Sequence, residues 1–190
     1  MDFLNVLSAF GLSASAGLNA YIPLLIVALV AKFTNLIHLA EPWDALTNWW
    51  VIGLLVVLSV IEFFADKIPA VNHVNDAIQT FIRPAAGAIL FAASAKVVTE
   101  VHPILSLALG LLVAGSVHAV KAAAVRPAVT ATTAGVGNVP VSILEDLVST
   151  TLSILSVIVP VVIACLLILF TAWIIWLLLR RSKPDYKRAS

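Results

Sequence analysis

The sequence predicts an all-α membrane protein, a polytopic helical bundle of about five spans with broken or re-entrant segments. Three observations predict it. Of 190 residues, 62% are hydrophobic and 11% charged, with a mean hydropathy of +1.09. A soluble domain carries roughly 25% charged residues, so lipid is the solvent for the whole chain. The apolar runs approach the ~20 residues that a spanning helix needs. The charges between them gather in two stretches, Glu62–Arg83 (EFFADKIPAVNHVNDAIQTFIR) and Val125–Asp146 (VRPAVTATTAGVGNVPVSILED). A net charge of +1 gives no excess for binding nucleic acid. The single cysteine, Cys165, excludes an intramolecular disulfide and a multi-cysteine metal site.

The N-terminus has Asp2 and no basic residue before its apolar run, so a signal peptide is not expected. Phe3–Ala31 is apolar, and at ~1.5 Å per residue it exceeds one straight span. Small and hydroxyl residues (Gly11–Asn19, GLSASAGLN) and then Pro23 interrupt it. Either a short helix leads through a break into a first span near Gly17–Lys32, or the break is the tip of a re-entrant hairpin. Irregular backbone at membrane depth needs protein or a wet cavity around it. The plainer reading is close helix packing over a small-residue face.

Lys32–Asn48 reads as a loop, and Trp49 and Trp50 mark a membrane interface. The second span runs from about Trp49 to Phe64. The third runs from Pro84 to Val98, with Pro84 at its first turn. The fourth runs from Ile104 to Ala124. Val141–Leu179 is too long for one span, so Ser142–Ser153 reads as an interfacial or re-entrant helix. Ile154–Leu179 is then the last span, kinked at Pro160. Residues 1–182 form one transmembrane domain and residues 183–190 a basic cytoplasmic tail. Arg180, Arg181, Lys183, Lys187 and Arg188 place the C-terminus in the cytoplasm by the positive-inside rule. Both polar stretches then lie toward the outer side, and Lys32 and Lys96 toward the inner. A weak internal repeat is present: Gly53–Val60 matches Gly110–Val117 at six of eight positions. Parallel repeats of that kind occur in transporters, with the site at the repeat interface.

Candidate site residues come from the cost of charge at membrane depth. Glu62 and Asp66, four apart, share a helix face with Ser59. They read as a cation or proton site, or as interfacial carboxylates with Asp66 paired to Lys67. If Asn72–Arg83 is helical, His73, Asp76, Thr80 and Arg83 fall within about 80° of arc. That helix either lies in the interface or lines a polar cavity. Arg83-Pro84 and Arg126-Pro127 each put a guanidinium at a helix start, suited to carboxylate or phosphate, or to snorkelling toward lipid phosphates. His118 and Lys121 share a face, and Lys121 reads either as a partner for Glu62 or as a cation snorkelling outward from near the end of its span. Thr130–Asn138 could bare backbone amides to a ligand. Glu145 and Asp146 read as cation ligands or as ordinary acids of a helix N-terminus.

No HExxH, GxSxG, Walker or cysteine-cluster motif is present, and nothing calls for an enzyme, a cofactor or a metal. The motifs GLSASAGLNAYIPLL, ExxADKIPAVxHVND, TFIRPAAGA and RPAVTATTAGxGN together resemble a bacterial integral-membrane family, a domain of unknown function of the DUF4126 type. The resemblance covers Asn5–Ile168 and implies a small multi-pass inner-membrane protein with no established activity. The function expected is transporter-like, for a small anionic solute or a phosphate-bearing lipid, with proton or cation coupling. Arg83, Arg126, Lys121 and Lys67 would meet the anion. Glu62, Asp66, His73 and Asp76 would serve coupling. The lipid bilayer is the sure partner, and a homo-oligomer is compatible with the sequence. The alternative is a scaffold or subunit that docks a partner through its polar stretches.

Overall fold

The computed structural model describes residues 2–95 and 102–181. Lys96 and the tail 182–190 lie outside the described residues. Seven α-helices follow in order: α1 (Asp2–Leu18), α2 (Tyr21–Phe33), α3 (Trp49–Ala65), α4 (Pro69–Ala95), α5 (Pro103–Val120), α6 (Arg126–Thr133) and α7 (Asn138–Arg181). A 3₁₀ turn, Trp43–Thr47, precedes α3, and a π-helical turn, Lys121–Val125, joins α5 to α6. The architecture is a helical bundle.

At its centre stands α1, packed against α4, α5 and α7. Its Ala9, Leu12, Ser13, Ser15 and Ala16 are at most 1% exposed. Small side chains make this approach close. A Cβ on Gly17 would lie 2.6 Å from the Ala114 carbonyl oxygen of α5. Between α4 and α5, a Cβ on Gly110 would lie 2.3 Å from the Gly87 oxygen. Hydroxyls join the same contacts: Ser15 Oγ lies 2.9 Å from Ser149 Oγ and 2.6 Å from Ser153 Oγ of α7, and Ser13 Oγ donates to Gly87 O at 2.7 Å. Small and hydroxyl residues associate helices where lipid removes the usual hydrophobic drive. Part of the Gly11–Asn19 run is therefore packing surface.

Its end is a break. Asn19 stops α1, and its Oδ1 accepts from the Tyr21 and Ile22 amides at 3.1 and 3.0 Å, starting α2. The chain thus forms two helices through a break at Asn19–Ala20.

The distribution of polarity is that of a membrane protein. Buried residues include Glu62, Asp66, Arg83, Lys121 and Arg126, while Trp50, Phe81, Ile104 and Leu112 are 64–88% exposed. Water would reverse that arrangement. Among the described residues, three helical stretches are long and apolar enough to cross a membrane: Val74–Ser94, Pro103–Thr133 and Asn138–Val159. Asn5–Leu18, Tyr21–Phe33 and Trp49–Ala65 are shorter apolar helices.

The span boundaries read from sequence need correction at three places. Pro84 does not begin a span; it lies inside α4, beside Gly115 of α5, a position without a side chain. Arg126-Pro127 does begin α6, but α5, the π turn and α6 form one run to Thr133 rather than ending near Ala124. Ser142–Ser153 is neither a separate interfacial nor a re-entrant helix. It is the first part of α7, which continues through Pro160, and its Ser142, Ser149 and Ser153 are fully buried. Pro84 is tolerated inside α4 because neighbouring helices pack around it, and α7 exceeds the length of one span without a break in its helix. The two repeat copies also diverge where they reach their polar stretches: α3 ends in a turn, whereas α5 runs on into the π turn.

Candidate functional site

The polar groups of both stretches meet at the break between α1 and α2. Glu62 and Asp66 come from the end of α3, and Arg83 from the middle of α4. Lys121 opens the π turn, Arg126 opens α6, and Glu145 and Asp146 lie on the second turn of α7. The π turn inserts a residue into the helix, which re-aims side chains and is often found at functional sites.

Arg83 is fully buried and donates to Glu62 Oε1 from Nη2 at 2.9 Å and from Nε at 3.3 Å. Its Nη2 is also 3.5 Å from Asp66 Oδ2. Asp66 Oδ2 meets Lys121 at 3.5 Å and Arg126 at 3.3 Å, and Oδ1 accepts from the Asn75 amide at 2.7 Å. Glu145 Oε2 lies 2.9 Å from Lys121 and 3.0 Å from Arg126. Lys67 pairs with Asp146 at 3.0 Å, and Asp146 also accepts from Asn19 Nδ2 at 3.0 Å. Four cations therefore meet four carboxylates, most of them within a dry interior. Asp66 thus faces Arg83, Lys121 and Arg126 with a single carboxylate oxygen.

The ends of the broken helix join this network with the right polarity. Lys121 Nζ donates to Leu18 O, at the carbonyl end of α1, at 3.1 Å. The Ala20 amide, at the start of α2, faces Glu62 Oε1 at 3.4 Å. A cation at a helix C-terminus and an anion at an N-terminus are each favoured by the helix dipole. His118 extends the chain of contacts. Arg83 Nη1 can only donate, so His118 Nδ1 accepts at 3.1 Å; Nε2 then carries the proton and donates to Thr80 Oγ1, also at 3.1 Å.

A family model described as a domain of unknown function, DUF4126, matches residues 6–180. The chain belongs to the DUF4126 family. No curated protein and no solved structure matches it.

In this DUF4126 chain, Glu62, Asp66, Arg83, Lys121 and Arg126 converge. Two expected pairings are corrected. Lys121 does not pair with Glu62 but with Asp66 and Glu145, and Arg83 takes Glu62 Oε1 in its place. Lys67 pairs with Asp146 and stacks over the Phe63 ring rather than meeting Asp66. The polar face of the first half of α4 is divided: Gln79 and Arg83 are buried, whereas Thr80 is exposed. Gln79 and Arg83 point inward, while Val74, Ile78 and Phe81 are 51–79% exposed. The side chain of His73 lies outside the described residues.

A cavity of about 820 Å³ adjoins the network, between α4, the π turn, α6 and the start of α7. Asp76, Arg126, Thr130 and Asn138 line it, with the turn Ala134–Gly135. Both turn residues have positive φ (51° and 87°), which ends α6. The expected bidentate anion grip is not available at Arg126. Nη2 takes part in both forks of a guanidinium, and Asp66 and Glu145 occupy it. Its Nε and Nη1 remain buried without a partner, as do Asp76 Oδ1 and Asn138 Oδ1.

Sequence reasoning did not single out Asn19, Asn75 or Gln79, gave His118 no role beyond sharing a face with Lys121, and left Glu145 and Asp146 open. Asn19, just ahead of an apolar run, carried a helix-start signal. Gln79 falls between Asp76 and Arg83 at i+3 and i+7 spacing on the same face of α4.

Proposed function

We propose that this DUF4126 protein is a carrier of small solutes, seated in the bacterial inner membrane with its C-terminus in the cytoplasm. The observation that supports this most is the break between α1 and α2, whose two ends face buried groups of opposite charge. Carriers bind solute and coupling ion near the midplane at the ends of such discontinuous helices. A scaffold has no need of charge at this depth, where each buried ion costs several kcal/mol after relaxation, roughly, and must be offset by pairing.

Coupling is assigned to Glu62. Its Oε1 is engaged by Arg83, whereas Oε2 is buried with no donor against it. A proton or small cation fits there. Arg83 and Lys121 are fully paired internally, so they are gating and positioning groups in this reading. The solute falls to the cavity beside Arg126 and Asp76. Its volume lies within the ~300–1,000 Å³ of small-molecule sites.

The test is uptake by proteoliposomes of labelled anionic, cationic and zwitterionic solutes under an imposed proton gradient. The expected result is gradient-dependent uptake of at least one class above empty liposomes. No uptake of any class would move the reading to a membrane scaffold.

A further inference from the structure

We infer that the cavity beside Arg126 takes a ligand carrying both a primary ammonium and an oxoanion, carboxylate or phosphate. This deepens the carrier reading and rests on it only for the purpose of binding. Arg126 is 5% exposed, yet Nε and Nη1 have no acceptor. Leaving buried guanidinium donors unfilled costs more than an ordinary lost hydrogen bond. A ligand oxygen at this wall removes that cost. The two nitrogens lie on different edges of the guanidinium, each offering one bond to an oxoanion that cannot use a fork.

Asp76 and Asn138 line the same cavity, and Asp76 Oδ1 and Asn138 Oδ1 are buried at its wall without a donor, so a small side-chain shift brings them to a ligand. The four network carboxylates balance the four network cations, so Asp76 stands as one further negative charge at the cavity wall. A simple anion would fill Arg126 and be repelled by Asp76. A simple cation would fill Asp76 and leave Arg126 unfilled. A ligand with both groups satisfies each wall. The ammonium must carry N–H, because Asp76 and Asn138 need a donor; a quaternary amine supplies none. This chemistry belongs both to free amino compounds and to the ethanolamine headgroup of a lipid.

The full chain, purified in a maltoside detergent, is titrated calorimetrically with O-phosphoethanolamine and with ethyl phosphate, which lacks the ammonium. O-phosphoethanolamine is expected to bind at least about tenfold tighter, the size of one charge-assisted hydrogen bond. Asp76→Asn should erase that margin, with O-phosphoethanolamine bound more weakly and ethyl phosphate, no longer repelled, bound as well or tighter. Asp76 takes no part in the described ion pairs, so this variant keeps the network. The source of the ligand is separated in nanodiscs. A higher melting temperature in phosphatidylethanolamine than in phosphatidylcholine discs, lost in Asp76→Asn, identifies a lipid headgroup. A soluble-probe margin without any disc difference identifies a free solute. Equal or absent binding of both probes with no disc preference, or a preference that survives Asp76→Asn, overturns the inference. Absent uptake with the binding margin intact would sink the carrier reading alone.

Discussion

Arg83→Met will leave little folded protein in the membrane. Arg83 is 0% exposed and supplies two hydrogen bonds to Glu62, one contact to Asp66 and one hydrogen bond to His118. Without it, Glu62 keeps only the Ala20 amide at 3.4 Å. Removing one partner of a buried pair strands the other charge and costs about 3–5 kcal/mol. Whole-protein stability is only ~5–15 kcal/mol. Yield and thermal midpoint by size-exclusion chromatography measure the effect. Glu62→Met together with Arg83→Met should recover most of the loss, because replacing both charges with apolar groups is near neutral or better. A single Arg83→Met variant with the wild-type midpoint would mean that the pair is not buried.

Asp66→Asn comes next in size. Its carboxylate faces Arg83, Lys121 and Arg126, and the substitution leaves those three cations one negative charge short. The expected loss is on the order of 3 kcal/mol. Glu145→Gln should cost less, because it serves only Lys121 and Arg126, and both retain Asp66. A wild-type midpoint for Asp66→Asn at neutral pH would contradict the geometry.

Charge in an apolar chain is what made the site legible. Glu62, Asp66, Arg83, Lys121 and Arg126 stand out because each is expensive in lipid, and that expense is lowered by convergence. Their partners were harder to read. Which carboxylate Lys121 meets depends on how α3, α5 and α7 pack together, and no periodicity argument supplies that packing. The break after α1 left a mark in the small-residue run before Pro23. The same residues also mark close packing, and the structure uses them for both. The turn at Pro84 was misread because proline at a helix start and proline within a packed membrane helix look alike along the chain. Amphipathic α4 could have faced water or a polar interior. Only its neighbours decide, and they enclose Gln79 and Arg83.

Gradient-driven uptake by proteoliposomes carrying wild-type protein or Glu62→Gln tests the carrier account most directly. The substituted amide still accepts from Arg83, and Arg83 still reaches Asp66, so the variant keeps the fold for comparison. The account predicts that wild-type uptake rises with an imposed proton gradient, whereas Glu62→Gln exchanges the same solute without responding to it. Equal gradient dependence in the two proteins would contradict the account, since no proton or cation held at Glu62 would then be part of the transport cycle.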